Sequence, residues 1–176
     1  MWDRCVDRES RCPGAYPLEK LVGARYLGEI VRNLITDLMD ERLLFAQTAD
    51  PSVINTPYAF HSLYIAPIVE DKEMARRILD TEFGVALSDA DCIVVKALCK
   101  IVAKRSALIV AALVAALVMR AGGMPVVALS GVLVDGNQSL VDEAVAAMQS
   151  LVNRDVQVLL QPRGAEVLGA AVMAAS

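Results

Sequence analysis

The sequence predicts an α/β fold in which helices flank a parallel sheet. Two apolar runs of strand length, 125–129 and 156–160, lie on either side of a segment with helical spacing, 137–153. A helical segment precedes the first run and another follows the second. This order favours parallel strands joined by a crossover helix. Because ligands bind at the carboxyl ends of such strands, we expect a site at the loops that begin at Ser130 and Pro162.

The first 45 residues combine a lead-in loop with a helical region. Residues 1–16 are polar and turn-rich, and Pro13-Gly14 is a turn signal. The region 17–45 begins with Pro17, which suits the first turn of a helix. Apolar residues then recur at helical spacing to about Asp40, and Leu43-Leu44-Phe45 is expected to pack at the exit.

This helical region contains two glycines, Gly23 and Gly28, and two carboxylates, Glu19 and Glu29. A glycine inside a helix costs about 1 kcal/mol relative to alanine. We therefore expect a neighbouring helix or a ligand to approach the backbone closely. Glu19 shares a helix face with Gly23, so its carboxylate could accept hydrogen bonds from a polar ligand. The alternative from spacing alone is a solvated side chain paired with Lys20.

The middle of the chain shows weaker patterns. Residues 46–57 are predicted to be a loop with two prolines. The segment from Tyr58 to Val69 has β-prone residues that indicate a short strand up to Pro67. A short charged helix is predicted over 71–80.

A long helix is predicted over 88–121. Ser88, followed three residues later by Asp91, is typical of a capping box. The second half is apolar on all sides, so we expect it to be buried on most faces. Its uncharged run Ser106–Met119 has 14 residues, fewer than the roughly 20 needed to cross a bilayer. A buried helix is favoured over a transmembrane span, and a membrane anchor stays open as the alternative.

Composition argues against several functional classes. Hydrophobic residues make up 56% of the 176 residues, and the mean hydropathy is +0.47. The net charge is −4 and the pI is about 5.0. No run of Lys and Arg exceeds two residues, so no nucleic-acid partner is indicated. Met1 is followed by charged residues rather than an apolar run, so we expect no secretory signal.

The cysteines and the one histidine do not indicate a metal or catalytic centre. The pairs Cys5/Cys12 and Cys92/Cys99 each have six intervening residues, which matches no zinc or redox spacing. We expect free thiols and no metal site. His61 is the only histidine and no nucleophile elbow accompanies it. No Walker loop or dinucleotide fingerprint occurs.

A set of residues at fixed spacing over positions 2–45 nevertheless carries a specific resemblance. The set is Asp3-Arg4, Val6-Asp7, Ser10, Pro13-Gly14, Glu19-Lys20, Tyr26-Leu27-Gly28-Glu29, Val31-Arg32 and Leu43-Leu44-Phe45. In this order it resembles the hexokinase and glucokinase family. Looser matches follow at 58–71, at 99–117 with Arg105, at 129–132 and at Gly169-Ala170-Ala171.

The resemblance implies the actin-like ATPase (ribonuclease H-like) fold, with this chain forming part of the large domain. It also implies transfer of the ATP γ-phosphoryl group to the 6-hydroxyl of glucose or a related hexose, with Mg²⁺ accompanying ATP. Glu19 matches the family residue that binds glucose hydroxyls, whereas Glu29 is interpreted as structural. Arg25, Ser62, Ser130 and Gly131 match the nucleotide side. The implied compartment is the cytoplasm, with an organelle as the open alternative, and no oligomeric state follows.

The chain also departs from the family pattern. Ala66 replaces a hydroxyl residue, and in the nucleotide loop Ser130 replaces Asp and Val132 replaces Ser. Residues 165–167 replace a Gly-Ser-Gly, and Glu166 would repel phosphates unless a metal or Arg163 compensates.

A further departure concerns catalysis. The family's first phosphate loop, its sugar-specificity loop and its catalytic Asp precede the Asp3 motif and have no match in these residues. Since that Asp is the general base for the sugar hydroxyl, we expect a C-terminal part of a hexokinase that alone does not phosphorylate glucose. The alternative is a non-catalytic hexokinase-like protein that binds a sugar or a partner.

Overall fold

The chain folds as two compact units, Met1–Ser106 and Ala107–Ser176. The structure is a computed structural model that describes residues 2–45, 52–121, 126–131, 138–153, 155–161 and 164–175. The first unit is helical in its described part, and the second contains a parallel sheet.

The first unit is built around one helix. Its elements are α1 (Trp2–Glu9), α2 (Pro17–Val22), α3 (Ala24–Asp40), one 3₁₀ turn (Ser62–Tyr64), α4 (Ile65–Glu70), α5 (Lys72–Phe83) and the first part of α6 (Asp89–Ala121). α1, α2 and the 3₁₀ turn all contact α3. The α3 residues Leu27, Ile30, Val31 and Ile35 are buried, which confirms the predicted helical spacing.

The loop predicted over 1–16 is wrong in its first part, because residues 2–9 form α1. Val6 is fully buried, and Asp3 and Arg8 lie in the first and last turns, where their charges favour the helix dipole. Ser10 ends the helix by donating from its backbone N–H and its hydroxyl to the Asp7 carbonyl. The predicted turn is confirmed, with Gly14 at φ 77°.

The single helix expected from Pro17 is interrupted. Gly23 has extended backbone angles, φ −69° and ψ 139°, and it separates α2 from α3. Its N–H donates to the Glu19 carbonyl at 2.6 Å, and its carbonyl accepts from Tyr26 at 2.9 Å. The glycine therefore ends one helix and begins the next, which spacing alone did not reveal.

The strand predicted between Tyr58 and Pro67 is wrong. This segment contains the 3₁₀ turn and the start of α4. Pro67 lies in the first turn of α4, where a missing N–H costs no intrahelical hydrogen bond. β-Prone side chains here pack as a cluster instead: the Phe60 ring lies 5.5 Å from Tyr64 and 6.2 Å from Phe83.

The two helices that follow are close to their predictions. Asp71 caps α5 by accepting from the Glu73 N–H at 3.0 Å, and Gly84 ends that helix at φ 64°. The capping box at the start of α6 is confirmed, because Ser88 Oγ accepts from the Asp91 N–H and the Asp91 carboxylate accepts from the Ser88 N–H.

The expectation that α6 is buried on most faces is wrong for this chain. Leu117 and Met119 are 66% and 58% exposed. α6 is also long and apolar enough to cross a membrane by length and composition, with a window of mean hydropathy 2.2 that is 39% buried. One such helix is weak evidence, because core helices pass the same test.

The second unit confirms the predicted order of strand, helix, strand and helix. β1 (Val126–Leu129) and β2 (Gln157–Leu160) pair in parallel, with Val126 opposite Gln157. α7 (Gln138–Val152) connects them and α8 (Ala165–Ala175) follows. The described sheet has these two strands. Its core joins α6 and α7 through Ala111, Ala115, Val118, Met148 and Val156.

A buried ion pair lies inside the first unit. Glu29 is fully buried and Arg32 is 4% exposed, and Arg32 Nη2 lies 2.6 Å from Glu29 Oε1. Glu29 Oε2 accepts from the Tyr58 N–H at 2.6 Å. Arg32 also donates to the Asn55 carbonyl at 3.3 Å and reaches Glu9 at 3.5 Å. The interpretation of Glu29 as structural therefore agrees with its contacts.

We expect Glu29→Gln to lower the free energy of unfolding by about 3 kcal/mol, because it leaves Arg32 charged and without its main partner in a buried site. Urea denaturation followed by circular dichroism measures the loss. Glu9→Gln is the matched control, since Glu9 is 32% exposed and such a pair contributes less than about 1 kcal/mol. Equal losses in both variants would show that burial of the Glu29–Arg32 pair does not determine how much the pair contributes to the free energy of unfolding.

Candidate functional site

Glu19 lies on the exposed side of α2. Its carbonyl accepts the Gly23 N–H, but its carboxylate has no hydrogen-bond or ion-pair partner among the described residues. Lys20, considered above as its surface partner, is instead 5% exposed and turned to the interior. The Glu19 carboxylate is therefore an open acceptor, which is what a ligand rich in hydroxyl groups requires.

Glu19 leaves no room for a side chain at position 23, so this position requires glycine. A Cβ at Gly23 would lie 2.6 Å from the Glu19 carbonyl oxygen and 3.3 Å from Glu19 Cγ. The expected close approach is thus between two residues of the same segment. Any side chain at Gly23 would push on the backbone that carries the candidate carboxylate.

Gly28 meets a different neighbour. A Cβ there would lie 2.7 Å from the Ser62 backbone nitrogen and would also collide with the Phe60 carbonyl. Ser62 Oγ accepts from the Gly28 N–H at 2.8 Å and donates to the Ala24 carbonyl. The hydroxyl thus bridges a donor and an acceptor of α3, and the segment 60–62 is held directly on the helix.

Arg25 is exposed and rests on an aromatic ring. Its guanidinium carbon lies 4.9 Å from the centroid of Tyr58, a cation–π distance. Tyr58 has φ 62°, and its ring lies edge-on to Tyr26. Burial, followed by the nearby Glu29 carboxylate, raises the pKa of Tyr58, so its hydroxyl stays neutral. The Arg25 side chain is exposed to solvent at the start of α3.

A charged cluster that sequence reasoning did not assign holds α2 in place. Lys20 Nζ donates to the Asp7 carboxylate and, at 2.6 Å, to the Cys12 carbonyl. Asp7 also accepts from the Gly14 N–H at 3.0 and 3.1 Å. The hydrogen bond from Lys20, followed by that from Gly14, lowers the pKa of Asp7. The stabilisation is present above the usual pKa of an Asp and is lost as pH falls through the lowered value.

The two residues of the second unit that the family resemblance assigns to the nucleotide side, Ser130 and Gly131, lie where β1 ends. Ser130 is exposed, and Gly131 has φ 115°, a conformation that favours glycine. The Gln161 N–H donates to the Leu129 carbonyl at 2.9 Å, so the carboxyl ends of both strands meet as predicted. Val132, Pro162 and Arg163 lie outside the described residues, as does the side chain of Glu166.

Thus Glu19, Arg25 and Ser62 all belong to the first unit, and Ser62 is bonded to Ala24, next to the Gly23 junction, while Ser130 and Gly131 belong to the other unit. No sequence signal singled out Asp7 as the partner of Lys20, apart from the presence of both in the matched motif.

The two cysteines of α6 are inaccessible, whereas Cys5 is partly exposed and Cys12 is exposed. Cys92 and Cys99 are buried free thiols, and burial raises the pKa of Cys99 to about 12. His61 is exposed and its ring lies edge-on to Tyr64. Among the described residues, no group of three or more His, Cys, Asp or Glu side chains could hold a metal ion.

Comparison with known proteins gives consistent matches. The family model described as hexokinase matches residues 1–176. Rat hexokinase-1 is 39% identical over 122 residues, which cover 68% of this chain and 13% of the relative. Human hexokinase-2 is 31% identical over 121 residues, again covering 68% and 13%. The chain spans about an eighth of the length of these relatives.

Solved structures show the same fold. A hexokinase from Schistosoma mansoni complexed with glucose aligns with a TM-score of 0.84 at 23% identity, covering 90% of this chain and 37% of that chain. A second hexokinase crystal structure aligns at 0.78 and 24% identity, covering 92% and 37%.

We expect Gly28→Ala to lower the free energy of unfolding by about 3 kcal/mol or more, because the methyl group would collide with backbone atoms of 60–62 rather than with a movable side chain. Thermal and urea unfolding measure the loss. Ser62→Ala is the control, because it removes the bridging hydroxyl without introducing a collision. The Gly28 N–H can then donate directly to the Ala24 carbonyl, so we expect the free energy of unfolding to fall by only about 1 kcal/mol. A neutral Gly28→Ala would contradict the close approach.

Proposed function

Because this chain belongs to the hexokinase family, we propose that it forms part of an ATP-dependent kinase for glucose or a related hexose. In this proposal the two units belong to the actin-like ATPase fold, and ATP is the co-substrate, with Mg²⁺ as part of the ATP complex. The family resemblance is what supports the cytoplasm as the compartment in this proposal, and an organelle is the alternative.

The observation that carries the proposal is the open carboxylate of Glu19. It stands on the exposed side of a helix whose other side is fixed by a buried Lys20. An ionised carboxylate accepts hydrogen bonds from two hydroxyl groups and is the common partner for a neutral polyol. We infer that Glu19 forms one wall of the hexose site.

Of the residues of the first unit that the resemblance assigns to the nucleotide side, Arg25 is the better suited to bind an anionic nucleotide. It is exposed, and its position over Tyr58 leaves guanidinium donors free for phosphate oxygens. Ser62 is less suited, because its single proton is already donated to the Ala24 carbonyl. A contact between Ser62 and phosphate would require that bond to break, so we assign Ser62 a supporting role in α3.

Ser130 and Gly131 are proposed to face the nucleotide from the second unit. The positive φ of Gly131 turns the backbone at the carboxyl end of β1, where ligands bind in parallel sheets. A serine there donates a hydrogen bond but supplies no carboxylate for the metal of an ATP complex. This favours contact with phosphate or ribose oxygens.

A second candidate is a non-catalytic hexokinase-like protein that binds a sugar or a partner. Ser130 and the segment 165–167 differ from the residues that the family resemblance implies on the nucleotide side. Binding of glucose without binding of Mg·ATP would favour this candidate over the first.

We expect the chain to bind glucose through Glu19, so Glu19→Gln should weaken binding about 10- to 100-fold, the value of one or two charge-assisted hydrogen bonds. Titration of the ¹⁵N-labelled chain with glucose, followed by amide chemical shifts, measures this. Glu41→Gln, an exposed Glu at the end of α3, is the matched control and should bind as the parent does. Unchanged affinity in Glu19→Gln would rule out the proposed role.

We expect no glucose phosphorylation by these 176 residues alone, because no residue matches the family's general base and phosphoryl transfer needs an activated hydroxyl. A coupled assay for ADP release with glucose and Mg·ATP measures this against a blank without sugar. Glucose-dependent ADP release that disappears in Glu19→Gln would contradict the expectation.

A further inference from the structure

We propose that Asp7 and Lys20 are positioning residues for the hexose site, in which their ion pair sets the direction of the Glu19 carboxylate. This inference rests on the proposed function of Glu19 for its sugar-binding part, whereas its structural part stands on the contacts of Lys20.

The burial of Lys20 is the first argument. Lysine is almost never buried unless it is paired, and the Lys20 side chain is 5% exposed. Its ammonium group donates to the Asp7 carboxylate and to the Cys12 carbonyl. Two acceptors from outside α2 therefore fix this side chain, and no side chain on α2 itself competes for it.

The weakness of α2 by itself is the second argument. It has six residues, fewer than two turns, and no side-chain hydrogen bond caps its beginning. Helices this short are unstable without tertiary contacts. Its preceding residue, Tyr16, has φ 52°, a costly conformation for a bulky side chain. The orientation of α2 must therefore come from contacts such as that of Lys20.

The neighbouring position of Glu19 completes the argument. Adjacent residues of a helix point about 100° apart, so an inward Lys20 leaves Glu19 on the exposed side. Asp7 ties this arrangement to α1 and to the Gly14 turn, because the same carboxylate accepts from Lys20 and from the Gly14 N–H. Three segments thus meet at Asp7, and the rotation of α2 about its axis follows from them.

The test compares Asp7→Asn with Asp3→Asn. Asn at position 7 can still accept from the Gly14 N–H but loses the charge that holds Lys20. Asp3 lies on the same helix and pairs with Arg105 of α6 at 2.8 Å, so its charge is not the partner of Lys20. The measurements are amide hydrogen exchange at residues 19–23 and glucose affinity by amide shifts, both in the full chain.

We expect Asp7→Asn to speed exchange in α2 about 10-fold and to weaken glucose binding about 10-fold, while Asp3→Asn changes neither. Lys20→Met, which also removes the pair, should behave as Asp7→Asn does, and if it fails to fold, Asp7→Asn alone decides. Normal exchange in α2 of Asp7→Asn would overturn the inference, as would faster exchange with unchanged glucose affinity. If the parent chain does not bind glucose, that result contradicts only the proposed sugar-binding role of Glu19, and not the structural role of Asp7 and Lys20.

Discussion

The first unit depends on the buried Glu29–Arg32 pair. A buried charge is tolerated only when it is paired and hydrogen-bonded, and the groups that meet this need come from separate parts of the chain. Glu9 is on α1, the Asn55 carbonyl and the Tyr58 N–H are on the segment before the 3₁₀ turn, and the pair itself is on α3. α1, α3 and this segment must therefore fold together, since loss of any one leaves a charge or a donor without its partner.

The same requirement explains the unusual geometry beside the candidate site. Tyr58 takes a positive φ that costs about 1–3 kcal/mol, and its N–H reaches Glu29 in that conformation. Its ring then lies under Arg25, and the chain continues to Ser62, where only a glycine at position 28 leaves enough room. The location of the exposed cation thus follows from a buried carboxylate one helical turn away.

Sequence reasoning succeeded where a local signal determines the structure and failed where a tertiary contact does. The Ser88–Asp91 capping box and the strand-helix-strand order of the second unit are read directly from spacing. The break at Gly23 was missed, because the apolar spacing continues across it. The strand expected near Pro67 was wrong, because β-prone aromatic residues pack equally well from a helical turn. For the site, family motifs indicated Glu19, but nothing in the spacing paired Lys20 with Asp7.

Some charged side chains of the α2–α3 segment are paired inside the protein and others are exposed. The exposed Glu19 and Arg25 have opposite signs, which suits two ligand groups of different chemistry. Lys20, Glu29 and Arg32 are neutralised by internal partners, so they contribute to the fold. Glu19 is open and negative, which suits the hydroxyl groups of a neutral sugar and repels phosphate. Arg25 is open and positive, which suits phosphate. The α2–α3 segment thus exposes charges of opposite sign at these two positions, and under the proposed function Glu19 is the partner of the sugar hydroxyls and Arg25 is the partner of the anionic nucleotide.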